Sequence, residues 1–413
     1  MTARKVVVIG AGPAGMMAAG AAAENGADVV LIEKNPKVGR KLRITGKGRC
    51  NITNFCDNDE FIRHLTANSR FMYSAINRFS CYDMISFIED LGVETKVERG
   101  NRVFPVSDKA SDVVDAFSSY LSSVGVQIRN SEAKSLMITD GCVTGVRLSD
   151  GDIKADSVIV ACGGLSYPGT GSTGDGYSFA KAAGHTVTQI LPSLVPLVSD
   201  DTDCTDLQGL SLKNIRITVT DNNSDKEIYT DFGELLFTHF GLSGPVILSA
   251  SAHMRQMSAG RYTVSIDLKP ALDEETLDKR ILRDLSKYSN KDIANSLFEL
   301  LPKSMIPVIL RRAQIEGHTK CHSVTAAERK RLLDSLKRFD VVIRSFRPVD
   351  EAIVTSGGVD VREVSPSTME SKLVFGLYFA GEVLDLDAYT GGFNLQIAYS
   401  TGRLAGESAA VTG

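Results

Sequence analysis

No CxxC pair occurs among the seven cysteines (50, 56, 81, 142, 162, 204 and 321) of this 413-residue chain. An odd number without that spacing argues against a disulfide framework, a CxxC redox dithiol and a four-cysteine zinc site; reduced thiols in the cytoplasm are expected instead. Charge of one sign is not in excess either. Lys and Arg number 46 against 50 Asp and Glu, a net charge of −4, which argues against a general polyanion binder. Low-complexity tracts and internal repeats are missing, and 36 glycines with 23% charged residues are ordinary globular values. Beyond the first thirty residues no segment approaches the roughly 18 apolar residues of a membrane span.

The one long apolar stretch, Val6 to Ala23 behind Arg4-Lys5, imitates a secretory leader. Gly10, Gly12, Pro13 and Gly15 break it near its middle, where an inserting helix gains nothing from them. A strand, a glycine turn and a helix do need them. KVVVI (5–9) reads as a strand buried on both faces, Ala14 to Asn25 as a helix stopped by Gly26, and DVVLI (28–32) as a second buried strand. That is a βαβ unit. Ser157–Val160 and Leu377–Ala380 read as further strands of the same layer.

Between roughly 190 and 270 the pattern changes. Ile215, Ile217 and Val219 alternate, Asp221 to Ser224 form a turn cluster, and Tyr262, Val264, Ile266 and Leu268 alternate again, which predicts antiparallel sheet with one wet face. From Leu272 to Phe339 the period is helical, with a Thr325-x-x-Glu328 capping box ahead of Leu332, Leu333, Leu336 and Phe339. The fold class expected is α/β: a Rossmann-like nucleotide-binding domain (1–189 and 350–413) interrupted by a β-rich domain (190–270) and a helical domain (271–349).

Gly10-Ala11-Gly12-Pro13-Ala14-Gly15 is a G-x-G-x-x-G turn between strand and helix, with Glu33 at the end of the next strand. Gly10 permits the tight turn, Gly12 lets a pyrophosphate approach the backbone, and Gly15 lets the helix lie close on the sheet. The helix N-terminus offers unpaired N–H groups and about half a positive charge. Glu33 would accept hydrogen bonds from ribose hydroxyls and disfavour a 2′-phosphate, so FAD or NAD is expected rather than NADP. A second match, Gly169 to Gly174, follows a loop rather than a strand and has no acid at the ribose position. It is expected to border the first site rather than to make another. The cation-rich stretch Arg40 to Asn54 suits neutralising phosphates and hydrogen-bonding a large polar ring, although a solvated loop would have the same composition.

With those residues in view, the chain resembles the bacterial NAD(P)/FAD-dependent oxidoreductases of the BaiN/YhiN type. The likeness runs through GAGPAG (10–15), KLRITGKGRCNITN (41–54), RVFPVSDKASDVV (102–114), ACGGLSYPGTGSTGDGY (161–177), FTHFGLSGPVIL (237–248), TSGGVDVREVSPSTMESK (355–372) and LYFAGEVLDLDAYTGGFNLQIAYSTG (377–402). It implies a glutathione-reductase-like FAD domain. Ala11, Gly15 and Glu33 would hold the ADP half, with the Ala133 backbone beside the adenine. Arg40 and Lys41 would lie by the pyrophosphate, Cys50 and Asn51 by the flavin, and Gly381 and Glu382 by the ribityl chain. Gly392, Phe393, Asn394 and Leu395 would face the isoalloxazine. Ala14, Lys34, Ala161, Gly163 and Gly164 join the cofactor-binding set.

Because a flavin carries the hard step, the protein need supply only orientation, charge stabilisation and a proton route. Cys50, His239, Tyr167 and Tyr389 are the catalytic candidates, each with packing as the competing role. His318, Cys321 and His322 with Glu316 have partial metal-ligand spacing, but no metal is expected. The basic residues from Arg329 to Arg347 are interrupted by acids and read as a solvated face. The function expected is an FAD-dependent oxidoreductase. NADH or NADPH would dock transiently, and hydride would pass to a small organic acceptor, a C=C bond or ketone, in the cleft between the FAD and inserted domains. The alternatives are an oxidase of a small amine or alcohol using dioxygen, and a non-catalytic flavin-bearing protein, RNA-associated or redox-sensing. Neither nucleic acid nor a membrane is expected as a partner.

Overall fold

The computed structural model describes residues 3–411. Two compact units share the chain: Met1–Ser193 with Pro348–Gly413 forms one, and Leu194–Arg347 the other.

In the first unit, strand β1 (Lys5–Ile9) leads through helix α1 (Pro13–Glu24) to β2 (Asp28–Glu33), the βαβ unit that the sequence predicts. A short helix α2 (Arg40–Ile44), strand β3 (Thr53–Asn54) and helix α3 (Cys81–Asp90) follow. Strand β4 (Gln127–Asn130), strand β5 (Ser157–Val160) and helix α4 (Asp175–Ala182) come next. After the second unit the chain returns with β6 (Leu377–Phe379) and the long helix α5 (Phe393–Val411).

Five strands pair in parallel in the order β6-β5-β1-β2-β4. Val6, Val7 and Val8 are all fully buried, as a strand covered on both faces requires. Each such side chain contributes about 1.5–3 kcal/mol by leaving water. The first and last helices cross closely. A Cβ at Gly402 would fall 2.4 Å from the Ala14 carbonyl oxygen, and one at Gly406 only 2.2 Å from that of Ala18. Small residues on both helices therefore bring their backbones together, and this contact joins the two ends of the chain beside the glycine turn.

The second unit is built on a seven-stranded antiparallel sheet in the order 339–343, 262–267, 211–221, 226–238, 241–243, 197–198 and 345–346. Ile215, Ile217 and Val219 point to the core, as do Tyr262, Val264 and Ile266, and the residues between them are wetter. A single hydrophobic core runs under both the strand-rich and the helix-rich stretches, including Ile217, Val264, Leu277, Ile281, Leu332 and Leu336. The helices are thus the cover of the sheet, and strand Phe339–Ile343 returns after them to pair with Tyr262–Asp267. The capping box at Thr325 is present, with its hydroxyl accepting from the Glu328 N–H at 3.2 Å and the Glu328 carboxylate accepting from the Thr325 N–H at 2.8 Å. The apolar stripe behind it divides. Leu332, Leu333 and Leu336 lie on helix Ala326–Lys337, but Phe339 opens a strand, because Arg338 leaves helical backbone (φ −141°, ψ 84°).

Among the described residues, no helix is long and apolar enough to cross a membrane. None of the seven cysteines is in a disulfide, and no three His, Cys, Asp or Glu side chains among the described residues cluster as metal ligands.

Candidate functional site

Each glycine of the first turn has its own physical reason. Gly10 sits at φ +102°, and a Cβ there would fall 2.7 Å from the Ala161 carbonyl oxygen on the neighbouring strand's end. A Cβ at Gly15 would lie 1.8 Å from the Gly10 carbonyl oxygen. Both glycines are demanded by the protein's own packing. Gly12 is different: its φ of −81° suits any residue, and a Cβ there would meet nothing within 4 Å. The fold does not require that glycine, whereas a ligand lying against the turn does. Gly12 is also the N-cap of α1, and no side chain caps the helix. The N–H groups of its first turn after Pro13 are therefore left without a side-chain partner, an arrangement that suits an anion.

Glu33 ends β2 and folds back over this turn. Its carboxylate accepts from the Ala11 N–H at 2.9 Å, and from the Asn35 N–H and side-chain amide at 2.8 and 2.6 Å. The Gly39 N–H bonds the Ala11 carbonyl at 2.9 Å, which seats α2 beside the turn. Arg40, at the start of that helix, donates to the Asn35 side chain at 2.6 Å. Asn130, at the end of β4, donates to the carbonyls of Glu33 and Asn35 at 2.9 and 2.6 Å. Ala133 is half-buried at the start of the following strand, Ala133–Thr139. The second glycine pattern borders this place, as its context suggests. A Cβ at Gly171 would fall 2.4 Å from the Asn35 amide nitrogen. Lys34 reaches across to Thr173 at 2.5 Å and Asp175 at 2.6 Å.

Lys41 ties α2 to the returning chain. Its ammonium lies 2.6 Å from Glu382 Oε2 and 2.7 Å from Ser166 Oγ. The other Glu382 oxygen accepts from the Thr355 N–H at 2.8 Å and from the Ser166 hydroxyl at 2.9 Å. Glu382 is thus held by Lys41, Ser166 and Thr355, a network that sequence spacing does not reveal. Gly163 and Gly164 line it, and a Cβ at Gly164 would fall 2.4 Å from Thr355 Oγ1. Among the remaining cations of the stretch, Arg43 pairs with Asp115 at 3.0 Å, and Arg49 pairs with Glu98 and Asp108 while lying over the Phe104 ring. Lys47 is exposed between Gly46 and Gly48, all three in left-handed backbone.

Cys50, Asn51, β3 and the start of α5 meet at the other end. Cys50 is fully buried, and burial pushes its thiol up to about 12. Asn51 Oδ1 is buried with no hydrogen-bond partner among the described residues. An orphaned acceptor of this kind costs about 1–3 kcal/mol unless a ligand or water satisfies it. A Cβ at Gly392 (φ +100°) would fall 2.4 Å from the Thr53 carbonyl, so β3 lies directly against the entrance to α5. Asn54 donates to the Gly391 carbonyl at 3.0 Å, and the Thr53 hydroxyl to Gln396 Oε1 at 2.6 Å. The Asn394 side chain turns back on its own loop, bonding the Ala388 N–H at 3.0 Å and the carbonyls of Ala388 and Tyr389 at 2.7 and 3.2 Å. Phe393 is buried, Leu395 is half-buried, and Gly381 bonds Thr401 on α5 through its N–H at 2.9 Å.

The four catalytic candidates have different surroundings. Cys50 is enclosed just ahead of β3, Tyr389 is half-buried just ahead of α5, and Tyr167 is half-buried at φ +54° in the loop after β5. His239 is exposed in the second unit. His64 is one that the sequence does not single out. Its ring stacks on Phe393 at 4.2 Å, lies edge-on to Tyr389 at 5.8 Å, and its Nδ1 is 2.8 Å from the Glu60 carbonyl. Only the fold joins residue 64 to residues 389 and 393, so no local pattern could have found it.

The basic residues from Arg329 to Arg344 are spent internally. Arg329 pairs with Asp278, Lys330 with Asp334, Lys337 with Asp267, Arg338 with Asp340 and Arg344 with Asp200, all within 2.9 Å. Arg331 donates to the Ala313 carbonyl at 2.7 Å.

The open Gly12, the uncapped α1, the inward-folded Glu33 and the orphaned Asn51 oxygen fit a dinucleotide laid from the glycine turn to the start of α5. Fold and site define an FAD-dependent oxidoreductase with a Rossmann-like domain. The chain belongs to the family of the HI0933-like protein Rossmann domain, which it matches over residues 4–408. Among its relatives is a 3-dehydro-bile acid delta(4,6)-reductase of Clostridium scindens, 30% identical over 410 residues that cover 98% of this chain and 99% of that one. A ribosomal RNA dihydrouridine synthase of Escherichia coli is 32% identical over 397 residues, 96% of this chain and 95% of that one. The 3-ketosteroid-delta4-(5alpha)-dehydrogenase of Rhodococcus jostii shares the fold at a TM-score of 0.54, with 15% identity over 99% of this chain and 97% of that structure.

Proposed function

We propose that this protein reduces a carbon–carbon double bond conjugated to a carbonyl in a small organic acceptor, with NADH or NADPH as the transient donor. The observation that carries this reading is the near-full-length similarity to two enzymes whose named reactions share one step. A dihydrouridine is a uridine with two hydrogens added across a double bond conjugated to its carbonyl. A delta(4,6)-reduction of a 3-dehydro-bile acid likewise removes unsaturation conjugated to a ketone. Bound FAD would supply hydride-transfer chemistry at its ring.

The chain's residues supply the rest. The N–H groups at the start of α1 receive the pyrophosphate, Glu33 receives the ribose, and Asn51 and the loop before α5 hold the ring. Hydride addition to the β-carbon of an enone leaves charge on the carbonyl oxygen and calls for a proton at the α-carbon. Tyr389 is the best-held donor for that proton, since its backbone N–H bonds the His64 carbonyl at 3.1 Å and its ring rests against His64. Cys50 is an unsuitable acid because its thiol is enclosed and held protonated to about 12. The seven unpaired cysteines fit a cytoplasmic enzyme.

A small acceptor is favoured over a nucleic acid because Arg329, Lys330, Lys337, Arg338 and Arg344 are paired with neighbouring acids. The ribosomal RNA relatives nonetheless support a second reading, in which the acceptor is a uridine in RNA. Anaerobic mixing with NADH and NADPH separately, followed by a 3-keto-4,6-diene steroid, cyclohexenone or ribosomal RNA, tests both. Flavin bleaching by a donor and recovery on adding an enone supports the proposal. Recovery with RNA alone, with dihydrouridine formed, selects the second reading. Inertness to every acceptor, with rapid recovery in dioxygen, contradicts both.

A further inference from the structure

Two cysteines that the site does not use lie side by side. Cys56, in the loop after β3, and Cys81, the first residue of α3, place their sulfur atoms 4.0 Å apart in the interior of the first unit. Their environments are unequal. The bond to Cys56 contributes most to lowering the Cys81 pKa, burial opposes it, and the Thr53 side chain and the Asn54 and Cys81 backbone amides lower it further. Cys81 also sits at the N-terminal end of a ten-residue helix whose Ser80–Asp83 capping box is complete. The same bond and then burial raise the pKa of Cys56, with Glu60 and Asp57 nearby. Cys81, at the start of that helix, is the member better placed to react as a thiolate, and the Cys56 sulfur lies within reach of it.

We propose that Cys56 and Cys81 form a peroxide-oxidisable dithiol, a modification site beside the strand against which the flavin end of the site is built. The Cys81 thiolate attacks one oxygen of hydrogen peroxide or an organic hydroperoxide, and the O–O bond breaks. Cys81 becomes a sulfenic acid, while the other oxygen leaves as water or alcohol after taking a proton. The Cys56 sulfur then attacks the Cys81 sulfur, the S–O bond breaks, and the oxygen leaves as water with the Cys56 proton. Two electrons pass from the two thiols to the peroxide. The sulfurs must approach by about 2 Å to reach bonding distance, a movement within reach of side-chain rotation. Thr53 and Asn54, which touch the Cys81 sulfur, also hold Gln396 and the Gly391 carbonyl. Closure of the bond therefore acts on the entrance to α5.

The test is peptide mapping of the purified holoenzyme after stoichiometric hydrogen peroxide, with free thiols alkylated under denaturing conditions. The expected product is a Cys56–Cys81 cross-link, lighter by two hydrogens and reversed by dithiothreitol, while Cys50, Cys162, Cys204 and Cys321 alkylate fully. In Cys56→Ser protein the two-hydrogen loss should vanish and Cys81 should gain oxygen instead. Exposed Cys142 is the internal control. Oxygen gained at Cys142 while Cys56 and Cys81 still alkylate as in untreated protein would overturn the proposal, as would a two-hydrogen loss that persists in Cys56→Ser. The wild-type map decides even if that variant fails to fold, and its outcome does not depend on which acceptor the enzyme reduces.

Discussion

Replacing Gly12 by alanine separates what the fold needs from what the ligand needs. Gly12 has a backbone that alanine adopts without strain, and its added methyl group would meet no protein atom within 4 Å. Alanine is a poorer helix N-cap than glycine by about 1 kcal/mol, but it also removes unfolded-state freedom worth about 0.4–1 kcal/mol. The two effects nearly cancel, so the apoprotein of Gly12→Ala should melt close to the wild type. The methyl group occupies the space above the α1 N-terminus, where the pyrophosphate must come within hydrogen-bond distance of the backbone. Loss of a single charge-assisted hydrogen bond there costs about 1.5–3 kcal/mol, a Kd weaker by about ten- to a hundredfold. Gly15→Ala provides the contrast. Its Cβ would overlap the Gly10 carbonyl oxygen at 1.8 Å, so the apoprotein itself should lose about 3 kcal/mol or more. The assay is titration of each apoprotein with FAD by flavin fluorescence, beside denaturant unfolding without FAD. Wild-type FAD affinity in Gly12→Ala would refute the reasoning, as would an apoprotein destabilised as much as Gly15→Ala.

Other consequences are as direct. Cys50→Ser should keep its flavin and stay within about twofold of wild-type kcat, at a cost of about 1 kcal/mol for burying a hydroxyl; a hundredfold loss of kcat with flavin retained would make the thiol a participant. His185 is buried, bonds Ser371 Oγ at 2.7 Å, and is held below its ordinary pKa of 6.5 by burial. The unfolded chain therefore takes up a proton that the folded one declines. Stability should fall as pH drops below 6.5, by at most about 1.4 kcal/mol per pH unit, and His185→Gln should flatten that slope in urea unfolding at pH 5, 6 and 7. In the second unit, burial works against the Asp203 carboxylate, but bonds from Arg311 and Arg312 outweigh it and hold its pKa down. Asp203→Ala should cost about 1–3 kcal/mol, because Arg311 keeps Asp206 and Arg312 keeps Asp201, and a change under about 0.5 kcal/mol in denaturant unfolding would contradict the burial argument.

The parts of the fold that were legible in the sequence are those set by local rules. Unbroken β-branched runs mark strands buried on both faces, so β1, β2 and the turn between them could be read directly. Strict alternation marks a sheet with one wet face, hence Ile215 to Val219 and Tyr262 to Ile266. The capping box at Thr325 is a four-residue signal and was equally plain. What escaped was set by long-range contact. Nothing local says that Phe339 leaves its helix to pair with Ile266, or that one core joins the strand-rich and helix-rich stretches of the second unit. The same holds at the site. Glu33 and the glycine turn follow from spacing, but the Lys41–Glu382–Ser166–Thr355 network, the His64–Phe393 stack and the Cys56–Cys81 pair join residues far apart in sequence.

The central claim is that segments from both ends of the chain hold one FAD, between the glycine turn at Gly12 and the loop before α5. Titrating the apoprotein with FAD while following near-ultraviolet and visible circular dichroism tests it most directly. One equivalent should saturate the signal, giving an ordered flavin band that Gly12→Ala and Asn51→Leu each weaken. A protein that takes up no FAD, or one whose binding is indifferent to both substitutions, would contradict the account.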